Sequence, residues 1–162
     1  MHPNGELIRE GFEAFAEGDL DTLSRLFDDD IKWHAMGTSD LSGEYEGKGE
    51  VFAFFGRLLQ MTEGTYHQDV HAILADDDHV VVLTDYGQDR PKPFTGQQVF
   101  VWHVRDGKAA ECWGIPNDQA AAAAAIGYGR SAASNAPSRQ PRGRRIVPPV
   151  RSSAEGESLT AR

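Results

Sequence analysis

Few side chains in this sequence combine a reactive type with a placement suited to chemistry. His34, in Ile31-Lys32-Trp33-His34, carries an imidazole whose ordinary pKa of about 6.5 lets it accept or donate a proton near neutrality. Tyr86 offers a phenolic hydroxyl that can orient or donate to a ligand oxygen. These two are the expected catalytic residues, His34 as base or acid and Tyr86 as its helper. Each also has a structural alternative, a histidine satisfied by a backbone carbonyl at a strand end and a tyrosine that only packs. The single cysteine, Cys112, has no electropositive neighbour in sequence and reads as an inert core thiol. His67 and His71 would form a ligand pair on a helix, but on a strand four residues place them about 13 Å apart, too far for one ion. Asp76-Asp77-Asp78 lacks the spacing of a calcium loop and reads as a solvated turn. No glycine-rich phosphate loop is present. The expectation is therefore chemistry with no metal and no cofactor.

The elements that must position these groups follow from periodicity. Ile8, Phe12 and Phe15 share one face of a helix over residues 5 to 17, ended by Gly18. Asp19 caps a second helix with Leu20, Leu23, Leu26 and Phe27 as its stripe, closed by Asp28-Asp29-Asp30 before a short strand at residues 31 to 34. A turn-rich segment from Gly37 to Gly49 is long enough to act as a rim or lid. Val51, Phe52, Phe55, Leu58 and Leu59 define a third helix over residues 50 to 62. Strands follow at residues 66 to 74 and 79 to 86. A hairpin from Phe94 to Asp118 then turns at Arg105-Asp106-Gly107-Lys108, since Asp-Gly between alternating apolar runs favours a tight turn. Asn117 and Asp118 cap a short helix over the alanine run 120 to 125. The predicted fold is α+β, a cone of curved, mostly antiparallel sheet covered by three N-terminal helices.

On the hairpin, Phe100, Trp102 and Val104 share one face, and Val99, Val101 and His103 the other. Both faces are largely apolar, so one should meet the helices and the other a second subunit, giving a homodimer through the sheet face. Asp85, Glu111 and Trp113 fall on that outer face. The inner face, with Val82, Thr84 and Tyr86 from the preceding strand and Ala110, Cys112 and Gly114 from the following one, encloses an apolar pocket. Its expected ligand-contacting residues are Phe12, Phe55, Thr84, Phe100, Trp102 and Cys112, and its expected partner is an apolar small molecule.

The 162-residue chain has a net charge of -9, unevenly spread. Residues 1 to 127 hold 9 Lys and Arg against 23 Asp and Glu, whereas residues 128 to 162 hold 7 against 2. An acidic body disfavours binding to nucleic acid or to an anionic membrane. The lone cysteine suits a reducing compartment, and no apolar run has the length of a signal peptide or a membrane span, so a cytoplasmic protein is expected. Residues 128 to 162, rich in Ser, Arg, Pro and Gly, read as a disordered basic tail following one domain at 1 to 127.

The strings AEGDLDTLSRLFDDDIKWH, LSGEYEGKGEVFAFF and VWHVRDGKAAECW, with Asp118 shortly after, resemble in order and spacing the SnoaL-like group of the nuclear transport factor 2-like superfamily. That group sits beside ketosteroid isomerases, polyketide cyclases and limonene-epoxide hydrolases. The resemblance covers about residues 5 to 127 and implies a conical α+β barrel, usually dimeric through its open sheet face. Position by position, the resemblance aligns the isomerase base with His34, whereas the positions of the isomerase oxyanion donors hold Gly11 and Phe100 and that of the cyclase and hydrolase aspartate holds Gly114, so those three groups are missing. Two readings of function stand side by side. One is a cofactor-independent isomerase, cyclase or hydrolase acting on an apolar substrate through His34. The other is a non-catalytic ligand-binding or interaction domain on the same scaffold.

Overall fold

The computed structural model describes residues 1–127, and the expectation of a disordered tail at 128–162 lies outside the described residues. Helices α1 (Pro3–Glu17) and α2 (Leu20–Leu26) precede β1 (Phe27–Ala35) and β2 (Gly43–Glu46). Helix α3 (Gly47–Met61) leads to β3 (His67–Ala75), β4 (His79–Gln88), β5 (Phe94–Arg105) and β6 (Lys108–Pro116), and α4 (Gln119–Ile126) follows. The six strands form one sheet in the order β2-β1-β6-β5-β4-β3. The α+β class is as predicted, but the curved sheet is not closed, because β2 and β3 remain as its two edges.

Local chemistry accounts for the breaks between elements. Gly18, at φ 72°, ends α1 by donating its N–H to the carbonyls of Ala14 and Phe15. One residue on, the Asp19 carboxylate accepts from the Thr22 N–H and starts α2. Hydrogen bonding to Thr22 holds that carboxyl below its ordinary pKa. The β5–β6 turn is the predicted one, since Asp106 and Gly107 both take positive φ (51° and 68°), as a two-residue hairpin loop requires. Asp118 caps α4 through the Ala121 N–H.

Two expectations need correction, and one pairing goes beyond them. Asp28-Asp29-Asp30 does not close α2; it lies inside β1, which starts at Phe27. Phe27 and Ile31 are buried at 3% and 0% exposure, and their burial outweighs the poor strand propensity of the aspartates between them. The rim segment holds a strand of its own, β2, paired antiparallel with β1. Finally, β1 pairs parallel with β6, setting Trp33 opposite Cys112 and Ala35 opposite Gly114. Sequence patterning does not show the direction of a long-range pairing.

The core lies between the inner sheet face and α1, α2 and α3. Ile31, Val51, Val80, Val82 and Cys112 are completely or almost completely enclosed. Each aliphatic side chain of this set contributes about 1.5 to 3 kcal/mol by leaving water. Phe100, Trp102 and Val104 belong to this core, whereas Val99, Val101 and His103 sit on the outer face with partial exposure. Among the described residues, no helix is long and apolar enough to cross a membrane.

Candidate functional site

Above the packed core the cone opens into a cavity of about 120 Å³. Strand alternation builds one wall: Trp33 and Ala35 from β1, Tyr86 from β4, Gln98, Phe100 and Trp102 from β5, and Gly114 from β6. Helix α1 supplies Gly11, Phe12 and Phe15, α3 supplies Phe54 and Phe55, and α4 closes the end with Ala122 and Ala123. The β1–β2 segment brings Ser39, Leu41 and Ser42 to the rim. The rings pack edge to face: Phe12 meets Phe100 at 5.2 Å, and Trp33 meets Trp102 at 5.2 Å and Phe55 at 5.1 Å.

The expected site residues divide. Phe12, Phe55, Tyr86, Phe100 and Trp102 line the cavity. Thr84 does not; it is 2% exposed, and its hydroxyl donates 3.1 Å to the Gln98 carbonyl, satisfying the side chain within the sheet. Cys112 does not either; it is fully enclosed between the positions of Trp33 and Trp102 on neighbouring strands, where burial pushes its thiol well above the ordinary pKa.

His34 is the main correction. Trp33 and Ala35 face inward, so the residue between them faces outward, and His34 lies on the far side of the sheet from the cavity. There its Nε2 is 2.8 Å from Glu111 and its Nδ1 3.3 Å from Glu44. The ring stacks on Trp113 with centroids 4.8 Å apart and planes 12° apart. The same Glu111 carboxylate lies 3.5 Å from His103 Nδ1. His34 is thus partnered on both nitrogens and cannot reach a ligand in the cone. The signal was present in the alternation Ile31, Trp33, Ala35 against Lys32, His34, which fixes the outward face.

Of the positions where the resemblance places catalytic groups, Gly11, Phe100 and Gly114 all line the cavity, while His34 does not. Residues missed in the sequence include Trp33, Tyr66, Gln68 and Gln98. Gln98 was legible as the same-face neighbour of Phe100 and Trp102. Gln68 was not, because it depends on the β3–β4 register that sets it beside Tyr86. Its amide donates 2.6 Å to the Tyr66 hydroxyl.

Two donors in this wall stand out. The Tyr86 hydroxyl and the Trp102 indole N–H are both buried without a hydrogen-bond partner in the protein. Desolvation, with the nearby Asp118 carboxylate second, pushes the Tyr86 pKa up to about 12. Burial, with Tyr86 second, likewise pushes Tyr66 upward. Both phenols are protonated at neutral pH.

A six-stranded curved sheet wrapped around a helix-covered cavity defines the nuclear transport factor 2-like class of fold. Residues 8–112 match the SnoaL-like domain, and the chain belongs to that family. Among solved structures, it is similar to Bal32a from a soil-derived mobile gene cassette, at 29% identity and TM-score 0.74 over 77% of this chain and 97% of that one. At 23% identity and TM-score 0.69, the same fold occurs in TerC, which was crystallised with polyporic acid, over 76% of this chain and 98% of that one. It occurs again at 21% identity and TM-score 0.60 in IdmH of Streptomyces antibioticus, a candidate polyketide cyclase, over 72% and 93%. Among curated proteins, the uncharacterized protein Rv0034 of Mycobacterium tuberculosis is 31% identical over 77 residues, 48% of this chain and 59% of that protein. The chain therefore spans about three fifths of the curated relatives it matches.

Proposed function

We propose that this chain holds a neutral, largely apolar small molecule in the cone. One observation carries the reading: among the described residues, the cavity lining contains no carboxylate, imidazole, amine, guanidinium or thiol. Its polar groups are hydroxyls, amides and two indoles. A charged ligand would leave water with no counter-charge to meet it, whereas an uncharged aromatic or alicyclic one exchanges water for ring contacts. The volume, about 120 Å³, is near the roughly 150 Å³ of an apolar cavity known to accept benzene, so the enclosed part of the ligand is about one ring in size.

The test uses the neutral dye N-phenyl-1-naphthylamine, whose fluorescence rises in apolar surroundings. At Gly11, an added Cβ meets nothing closer than Leu26 Cδ1 at 3.9 Å. Gly11→Leu therefore fills the cavity without a backbone clash, and Leu is a better helix former than Gly. The expected result is dye binding by the native chain and at least tenfold weaker binding by the variant. Equal binding by both would place the dye elsewhere and remove the reading.

A second reading, cofactor-independent chemistry of the cyclase or isomerase type, is favoured by the unpartnered Tyr86 hydroxyl. With His34 outside the cone, Tyr86 is the residue left to donate a proton to a substrate oxygen. A base has to come from the substrate or from a water. The two readings separate on Tyr86→Phe. Under the catalytic reading that variant loses turnover and keeps its ligand, and under the binding reading there is no turnover to lose.

A further inference from the structure

We infer that residues 37–42, between β1 and β2, form a lid over the cavity, hinged at Gly37 and Gly43, latched by Leu41 and parting from α4 to admit the ligand. The inference rests on the small-molecule reading above and adds how that site is opened and shut.

The cavity wall is regular almost everywhere. Among its lining residues, Tyr66 and the run from Met36 to Ser42 lie outside helix and strand. The run begins where β1 ends, with the Met36 N–H donating 3.0 Å to the Gly114 carbonyl of β6. Gly37 then takes φ 137°, and Gly43, at the start of β2, takes φ 149°, a backbone region that strains any residue with a Cβ. At Gly43 an added Cβ would meet nothing within 4 Å, so glycine there serves the backbone rotation and not a close approach. Moving loops turn on a few residues of this kind at the ends of elements, which absorb the change in φ and ψ.

Between the two glycines the segment is bonded to itself. The Ser42 N–H donates 3.0 Å to the Ser39 carbonyl, the Ser39 N–H donates 3.0 Å to the Ser42 hydroxyl, and the Leu41 N–H donates 3.2 Å to the Ser39 hydroxyl. It therefore moves as one body. Leu41 holds it down: the side chain is 3% exposed within the core, and the carbonyl accepts 2.7 Å from the Tyr45 hydroxyl. The Tyr45 ring in turn packs on Phe54 of α3 with centroids 4.6 Å apart. Opening withdraws one leucine from the core and breaks one hydrogen bond, so the open form is a minor one, on the order of 0.1 to 10% of molecules.

Facing the lid is α4. An added Cβ on Gly37 would stand 4.0 Å from the Cβ of Gln119, and both residues line the cavity, so the lid and the first residue of α4 meet over it. The helix is fastened at both ends. Asp118 caps its start, the Asn117 N–H donates 2.9 Å to the Gln97 carbonyl, and the Gln88 amide donates 3.0 Å to the Ala125 carbonyl. Of the two sides of this seam, α4 is the fixed one and residues 37–42 the moving one.

The experiment follows association and dissociation of N-phenyl-1-naphthylamine with the full chain by stopped-flow fluorescence. Tyr45 does not line the cavity, and Tyr45→Phe keeps the ring on Phe54 while removing the hydroxyl that holds Leu41. The expected outcome is that both rates rise about three- to tenfold while the affinity stays within about twofold, as for loss of one hydrogen bond that keeps the lid shut. A second variant, Gly37→Cys with Gln119→Cys, brings two Cβ atoms to the roughly 3.5–4.5 Å spacing of a disulfide. Cys112 is buried and does not compete. The oxidised form is expected to take up and release dye roughly tenfold or more slower than the same protein reduced, and the strain a side chain adds at Gly37 is common to both states. Unchanged rates in Tyr45→Phe, a loss of affinity there without faster association, or a cross-linked form that takes up dye as fast as the reduced one each overturns the inference while the cavity reading stands. If the cysteine pair does not fold, Tyr45→Phe decides alone. No dye binding by the native chain overturns both.

Discussion

His34 shows how much of a residue's chemistry is decided by the direction in which it points. An imidazole held between Glu44 and Glu111 and stacked on Trp113 is a structural group of the outer face. Replacing it with Ala is expected to leave cavity affinity within about threefold and to cost about 1 kcal/mol of stability from a lost hydrogen bond. Dye titration and urea denaturation of the variant check both halves; a large loss of affinity would return His34 to the site. The buried phenols and the thiol make a second prediction. Cys112, Tyr66 and Tyr86 all have folded pKa values raised above their unfolded ones. Above the ordinary thiol value of about 8.5 and phenol value of about 10, the unfolded chain has released protons that the folded chain still holds. Stability is therefore constant below this range and falls as pH rises through it. At about 1.4 kcal/mol per tenfold change in proton affinity, Tyr86 alone removes on the order of 2 kcal/mol by pH 12. A urea midpoint that stays level from pH 8 to pH 11 would contradict the buried, protonated state of all three.

At the scale of elements, the cavity exists because glycines and one irregularity let large rings converge. The β5–β6 ladder shifts register between His103 and Val104, which brings Ala109 opposite Val104 while Trp102 stays opposite Cys112. A small residue thus meets the wall beside a large one. Gly87, on β4, has the tightest surroundings of the sheet glycines: an added Cβ would stand 2.7 Å from the Phe94 carbonyl oxygen and 3.0 Å from the His67 ring. Because the nearer obstacle is backbone, it cannot rotate away. Gly87→Ala is expected to cost about 1 to 3 kcal/mol by forcing β4 and β5 apart near Tyr86. Thermal unfolding measures this, and an unchanged melting temperature would mean the two strands separate there without penalty.

The whole molecule is one-sided. Helices cover the inner face of the sheet, and the outer face presents Val81, Leu83, Val99, Val101 and Trp113 at partial exposure, with Leu74 at 60%. We propose that a second copy covers this face, because a contiguous apolar patch on a sheet is seldom left in water. The His34, His103 and Glu111 group would then lie at or beside the contact. Val101→Asp places a charge at the centre of the face and is expected to give monomers in sedimentation equilibrium, with the native chain sedimenting as a dimer. A monomeric native chain at micromolar concentration would remove the proposal.

The sequence by itself determined the elements and most of their faces. Apolar spacing in α1 and α3, the Asp106-Gly107 turn, the Gly18 and Asp118 caps and the inward parity of Phe100 and Trp102 are local, and local patterns survive without tertiary information. Even the outward face of His34 is written in the alternation of Ile31, Trp33 and Ala35 around it. What only the tertiary structure decided was non-local. The parallel β1–β6 pairing, the extension of β1 through three aspartates, and the meeting of Gln68 with Tyr66 and Tyr86 depend on segments far apart in sequence, whose burial outweighs local propensity. So does the state of the two orphan donors: Tyr86 and Trp102 are ordinary in the sequence, and only the packed cone withholds a hydrogen-bond partner from each.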